Sequence, residues 1–171
     1  MRTVRDIRGI TLVELMTVVA ILGVLVAILG FSFQGWIAKY KVEDQTKRFY
    51  ADLSDARARA MQKKRMTFVT LAARQYRTFE DTNTAPDGNG QLDSTADTVV
   101  ANTKTDYTIT WLPPPIPPDP QISFDREGLA SVTGTIRLDS TLSPDYNCIT
   151  IQTTRLRIGR YDVATSTCQE K

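Results

Sequence analysis

The sequence predicts an α+β protein in which one long N-terminal α-helix, apolar in its first half and amphipathic in its second, packs on an antiparallel β-rich C-terminal head. Three observations carry this. An apolar run extends from Ile10 to Phe31, and an apolar stripe then continues through Trp36, Tyr40, Phe49, Leu53, Ala56, Ala60 and Met61 near helical spacing. From Met66 onward, short β-branched and aromatic runs alternate with turn residues. The 171 residues hold one ordinary domain and one additional element.

Residues 1–9 form a short basic leader with Arg2, Arg5 and Arg8. Residues 10–31 follow as one apolar stretch of about 22 residues, which at about 1.5 Å per residue crosses a hydrocarbon core of about 30 Å. The arginines ahead of it favour a cytoplasmic N-terminus and place everything after Phe31 outside. No A-x-A-like site follows Phe31, so the segment does not read as a secretory signal peptide. Glu14 interrupts the run, and a carboxylate there costs about 2.5–3.5 kcal/mol on insertion scales. It is either an interfacial, snorkelling side chain or the partner of a cation. Cleavage after Gly9 would supply that cation as the α-amine of Ile10, in the same chain or in a neighbour.

Residues 32–65 continue the helix, so that one helix runs from about Thr11 to Lys64, with basic Lys63, Lys64 and Arg65 at the negative end of its dipole. Gly23, Gly30 and Gly35 weaken it by about 0.8–1 kcal/mol each relative to Ala, and mark either bends or close helix packing. Residues 66–171 form the head. Strands are expected at 66–73, 75–79, 107–111, 121–124, 131–138, 148–153 and 156–163, with the proline-rich 112–120 as an extended connector.

The charge is segregated. Eleven basic and four acidic residues lie between Lys39 and Arg77, whereas eleven acidic and three basic ones lie between Glu80 and Asp145. Removing residues 1–9 leaves 21−3 basic and 19−1 acidic side chains, a neutral balance. There is no histidine, no nucleophile with a base and no glycine-rich phosphate loop, so no enzyme chemistry is legible. Two cysteines, Cys148 and Cys168, either stay as thiols or, in an oxidising compartment, close a loop whose chain-entropy stabilisation is about 3 kcal/mol.

Asp81, Asn83, Asp87, Asn89, Asp93 and Asp97 gather oxygen donors around turn glycines, which suits either a weak calcium loop or a polar surface loop. The order departs from an EF-hand, with an insertion at Ala85-Pro86 and no closing Glu. Apart from that calcium, no cofactor is expected. Arg155 and Arg157 share one strand face and suit phosphate contacts, as does Arg160 if a bulge at Gly159 brings it to the same face; a solvated strand face is the alternative.

Arg8-Gly9-Ile10-Thr11-Leu12-Val13-Glu14-Leu15 resembles the prepilin signature of type IV pilin-like proteins, with Ile10 where the family most often has Phe. The resemblance implies cleavage between Gly9 and Ile10 by a prepilin peptidase, N-methylation of Ile10, and pairing of Glu14 with a neighbouring subunit's N-terminus during assembly. In the head, Ile122 to Gly128, Gly134 to Leu138 and Ile149 to Ile151 are similar to the GspH/FimT group of minor pilins and pseudopilins. That implies two packed antiparallel sheets against the helix. Thr154-Arg155-Leu156-Arg157 matches the late Gly-Arg-x-Arg segment of DNA-uptake members except at Thr154.

The expectation is therefore a structural subunit of a type IV pilus or type II secretion pseudopilus. It would be single-pass in the inner membrane with an extracytoplasmic head, then part of a periplasmic or extracellular filament, with other subunits and the peptidase as partners. A DNA-binding minor pilin and an unprocessed membrane-anchored protein are the alternatives.

Overall fold

The computed structural model describes residues 9–83, 88–112 and 121–171, without the side chains of residues 28–34. It divides into two units, Met1–Ala38 and Lys39–Lys171. Helix α1 (Leu12–Lys63) is unbroken through Gly23, Gly30 and Gly35. Among the described residues, a Cβ added at Gly23 or Gly35 would meet nothing within 4 Å.

Thr11 starts the helix. Its hydroxyl accepts the Glu14 backbone N–H at 3.3 Å and its carbonyl accepts Leu15 N–H at 3.1 Å, the N-cap half of an S/T-x-x-E capping box. At the other end Lys64 adopts φ 55°, the left-handed conformation that closes many helices. Lys63 Nζ donates to Glu80 at 2.5 Å, and Arg65 lies 3.5 Å from the same carboxylate, which is only 5% exposed. The end of the helix is thereby tied to the second strand.

Among the described residues of the second unit, nine strands make two antiparallel sheets. The first runs β3 (Thr98–Lys104), β2 (Gln75–Glu80), β1 (Thr67–Ala72), β5 (Gln121–Phe124). The second runs β4 (Ile109–Leu112), β6 (Gly134–Leu138), β7 (Cys148–Gln152), β8 (Arg155–Asp162), β9 (Thr167–Glu170). The seven expected strands are present; β3 and β9 are additional. β3 is an edge strand whose side chains are largely exposed, and β9 carries no apolar alternation, so hydrophobic patterning marks neither. Of the expected proline-rich connector 112–120, Leu112 belongs to β4 and residues 113–120 lie outside the described residues.

One core joins the helix to both sheets. Val42, Thr46, Phe49, Leu53, Ala56 and Ala60, all fully buried, recur every three or four residues along one helix face. The apolar members pack with Val69, Leu71, Tyr76, Ile122 and Phe124 of the first sheet, and with Ile109, Trp111, Ile136, Leu138, Ile149 and Ile151 of the second. Register explains the selection: Val69 faces Ile122, Leu71 faces Tyr76, and Ile136 faces Ile149, so each pair turns to the same side of its sheet.

Phe49 stacks on Tyr76 with ring centroids 4.1 Å apart, and the Tyr76 hydroxyl donates to Asp52 at 2.6 Å. Burial, then the Asp52 hydrogen bond, push the phenol well above its ordinary value of 10. The unfolded phenol ionises first, so the native state holds the extra proton and stability falls as pH rises above about 10. Unfolding titrations from about pH 9 to 12 should show a shallower alkaline decline in Tyr76→Phe than in the parent chain. Parallel declines would remove Tyr76 as the cause.

Candidate functional site

The N-terminal site is built on the first turn of α1. Gly9 is exposed, and among the described residues a Cβ built on it would meet nothing within 4 Å; Met1–Arg8 lie outside the described residues. Ile10 is 75% exposed. Glu14 sits three residues beyond the Thr11 cap, where a carboxylate also complements the positive end of the helix dipole. The spacing Thr11-x-x-Glu14 is the sequence signal for this second reason for Glu14.

Beyond it, the large apolar side chains from Ile10 to Val26 are between 49% and 75% exposed on every side of the helix. A helix apolar all round is one that lipid or other helices must cover. Among the described residues no helix is long and apolar enough to cross a membrane. The expected span 10–31 ends in residues 28–31, whose side chains lie outside the description.

The Asp/Asn loop uses its carboxylates on its own backbone. Asp81 accepts the N–H groups of Asn89 and Gly90 at 3.0 and 2.7 Å. Asp97 accepts those of Thr82, Asn83 and Asp93 at 3.0, 3.2 and 2.7 Å. The Thr95 hydroxyl and amide hold Asp93 below the ordinary carboxylate range. Gly88 has φ +82°, and a Cβ there would fall 2.1 Å from the Asp81 carboxyl carbon. Asp87 lies outside the described residues, and among those described no group of three or more His, Cys, Asp or Glu converges on a metal position. Asn83 and Asn89 contribute backbone N–H groups to this network, and Asn89 Oδ1 accepts Gln91 N–H.

The late arginines divide as strand alternation dictates. Gln152 faces Arg155 and Thr150 faces Arg157, on the side away from the core, whereas Ile149 faces Ile158 and Ile151 faces Leu156 on the core side. The pairing of β8 runs through Gly159 without a register shift, so Arg160 stays on the opposite face from Arg155 and Arg157. Arg157 is held by the Glu170 carboxylate of β9.

Cys148 and Cys168 form a disulfide with a Cα separation of 6.0 Å. They belong to β7 and β9, two strands apart, which in a flat sheet would lie about 9.5 Å from each other. β9 therefore curls over the outer face of β8. Gly159 makes this approach feasible: a Cβ there would lie 2.1 Å from the Gln169 carbonyl oxygen. Sequence spacing gave the pairing as one of two readings; the curl that accompanies it had no sequence signal except Gly159.

A capped, apolar N-terminal helix leading into a two-sheet head defines a pilin-like structural subunit. Comparison with protein families matches residues 4–30 to the prokaryotic N-terminal methylation motif and residues 45–155 to the type II transport protein GspH. The second match spans well over half of the 171 residues, and the chain belongs to the GspH family. It is a pilin-like or pseudopilin subunit with a structural role in a type II secretion system or type IV pilus, anchored at the membrane of the cell envelope, and not an enzyme. Neither the curated proteins nor the solved structures contain a match to the chain.

Proposed function

We propose that the chain is a minor pilin or pseudopilin, cut between Gly9 and Ile10, N-methylated on Ile10, and assembled through α1 into the pseudopilus of a type II secretion system or a related type IV pilus. The observation that carries this is the pairing of an apolar helix surface, exposed on all sides in its own chain, with a single carboxylate in its first turn. Before assembly the apolar surface is covered by the inner membrane in a single pass, and afterwards by the helices of neighbouring subunits. The head stays on the extracytoplasmic side throughout.

Physical chemistry gives Glu14 its role. Cleavage leaves a positive α-amine at Ile10, beside the positive end of the helix dipole and in apolar surroundings. A carboxylate on the adjacent turn, or on a neighbour shifted along the filament, offsets that charge. Thr11 fixes the helix start, so Glu14 is held at a defined height relative to Ile10.

DNA binding by the head is the second reading. The shared exposed face of Arg155 and Arg157 supports it, and the Glu170 counter-charge on Arg157 weighs against it. Calcium in the Asp/Asn loop stays a proposal of lower weight, because Asp81 and Asp97 already accept backbone donors.

Intact mass and N-terminal sequencing of the protein from its native envelope test the main reading. The expected product begins at Ile10 and carries one added methyl group, and a Gly9→Val variant accumulates unprocessed. A chain that still begins at Met1 where the peptidase is active would reject filament assembly through a processed N-terminus.

A further inference from the structure

The first turn of α1 decides how far the helix can reach back toward the leader. The leading N–H groups of an α-helix lack partners, and each would pair with the carbonyl four residues before it. For Val13 and Glu14 those carbonyls belong to Gly9 and Ile10, which flank the bond cut in the reading above. Were the ladder to run back that far, the Gly9 carbonyl, the group a peptidase must attack, would accept the Val13 N–H. The Gly9–Ile10 bond would then be locked in a helical turn.

One side chain blocks this. The Thr11 hydroxyl accepts the Glu14 N–H at 3.3 Å, so the donor that would recruit the Ile10 carbonyl is already taken; the ladder begins instead with Leu15 N–H on the Thr11 carbonyl at 3.1 Å. Among the described residues no backbone N–H bonds the carbonyl of Gly9 or Ile10. Residues 9–11 are exposed and stand outside the helix, which begins at Leu12. A helix lengthens only by contiguous turns, so stopping it at Ile10 also stops it at Gly9. The drive to lengthen is strong here, because the exposed apolar side chains that follow call for water-poor surroundings, where unpaired N–H groups find no other acceptor. Gly9 opposes lengthening through its low helix propensity, but Ile10 has no such bar, which leaves the cap to exclude it.

We propose that Thr11 is a positioning residue for leader removal: by capping α1 it keeps the Gly9–Ile10 bond out of the helix and accessible to the prepilin peptidase. This rests on the processed-subunit reading above and adds to it the residue that sets the conformation of the substrate. The same stretch lies within the match to the N-terminal methylation motif over residues 4–30. Proteases cut exposed backbone that secondary structure does not hold. A substrate that must first unwind binds as though only its unwound fraction were present, so its KM rises while kcat stays the same.

The test uses the full precursor chain, ¹³C-labelled and held in detergent micelles, with envelope membranes that carry the peptidase as the source of enzyme. The parent is compared with Thr11→Val, which keeps the branched shape but removes the acceptor, and with Thr11→Asn, a good cap of different shape. Thr11→Val is expected to raise the KM for cleavage about two- to fivefold with kcat unchanged, and to move the Cα shifts of Gly9 and Ile10 toward helical values. Thr11→Asn should restore both. Equal KM in the parent and Thr11→Val overturns the proposal, as does a raised KM in Thr11→Val with the Gly9 and Ile10 shifts in place. Thr11→Asn cleaved as poorly as Thr11→Val would mean that the peptidase reads the threonine itself, and overturns it too. A parent chain that is not cut at all overturns the processing reading and this proposal with it, an outcome distinct from a parent that is cut with the KM of Thr11→Val.

Discussion

Replacing Phe49 by Ala should lower the unfolding free energy by about 3–5 kcal/mol, the range for removing a buried aromatic ring from a packed core. Phe49 is fully buried, and it stands in the middle of the helix stripe that reaches both sheets. Its loss removes the stack on Tyr76, opens a cavity between helix and sheet, and leaves the Tyr76–Asp52 bond less shielded from water. Since a domain's whole stability is about 5–15 kcal/mol, this one change should move the urea midpoint of the detergent-solubilised chain far enough to measure easily. A loss below about 1 kcal/mol would mean that the helix is not held by this stripe.

The second large effect concerns the disulfide. Substituting both Cys148 and Cys168 by Ala should cost about 3 kcal/mol on the chain-entropy scale for a loop closed over a sequence separation of 20. Ala is the better replacement at Cys148, because a serine hydroxyl at that fully buried position would need a partner and so mix two effects. The loss should also be local. Without the bridge, β9 is held over β8 by its ladder, by the Glu170–Arg157 pair and by the Gln169–Asp162 hydrogen bond, so its amides should lose hydrogen-exchange protection before those of β6 and β7. Full protection of β9 in the double variant would show that the curl is set by the Gly159 contact and the ladder alone.

Much of the molecule was readable from the chain because it depends on local pattern. The helix, expected from about Thr11 to Lys64, runs from Leu12 to Lys63, since apolar periodicity and a Thr cap are local properties. Seven strands followed from β-branched alternation. β3 and β9 did not, because an exposed edge strand and a strand held by a covalent bridge need no apolar alternation of their own. Of the candidate sites, the N-terminal one was the most legible: Gly9, Ile10 and Glu14 belong to a motif read along the chain, matched over residues 4–30, so their spacing is already their geometry.

The head sites depended on folding. Sequence placed six Asp and Asn oxygens close together, but only the folded loop turns Asp81 and Asp97 onto backbone amides, and it does so because buried N–H groups must be satisfied. Arg155 and Arg157 were readable as one strand face, with Arg160 joining them only through a bulge at Gly159; the fold has no register shift there, so Arg160 stays on the other face, and the curl of β9 delivers Glu170 to Arg157. The amino-acid order by itself thus determined the class of protein, its helix and its match to the N-terminal methylation motif, whose physics runs along the chain. The tertiary structure alone decided which charged and polar groups meet, because residues as far apart as Asn147 and Tyr161, or Lys63 and Glu80, become neighbours only through packing.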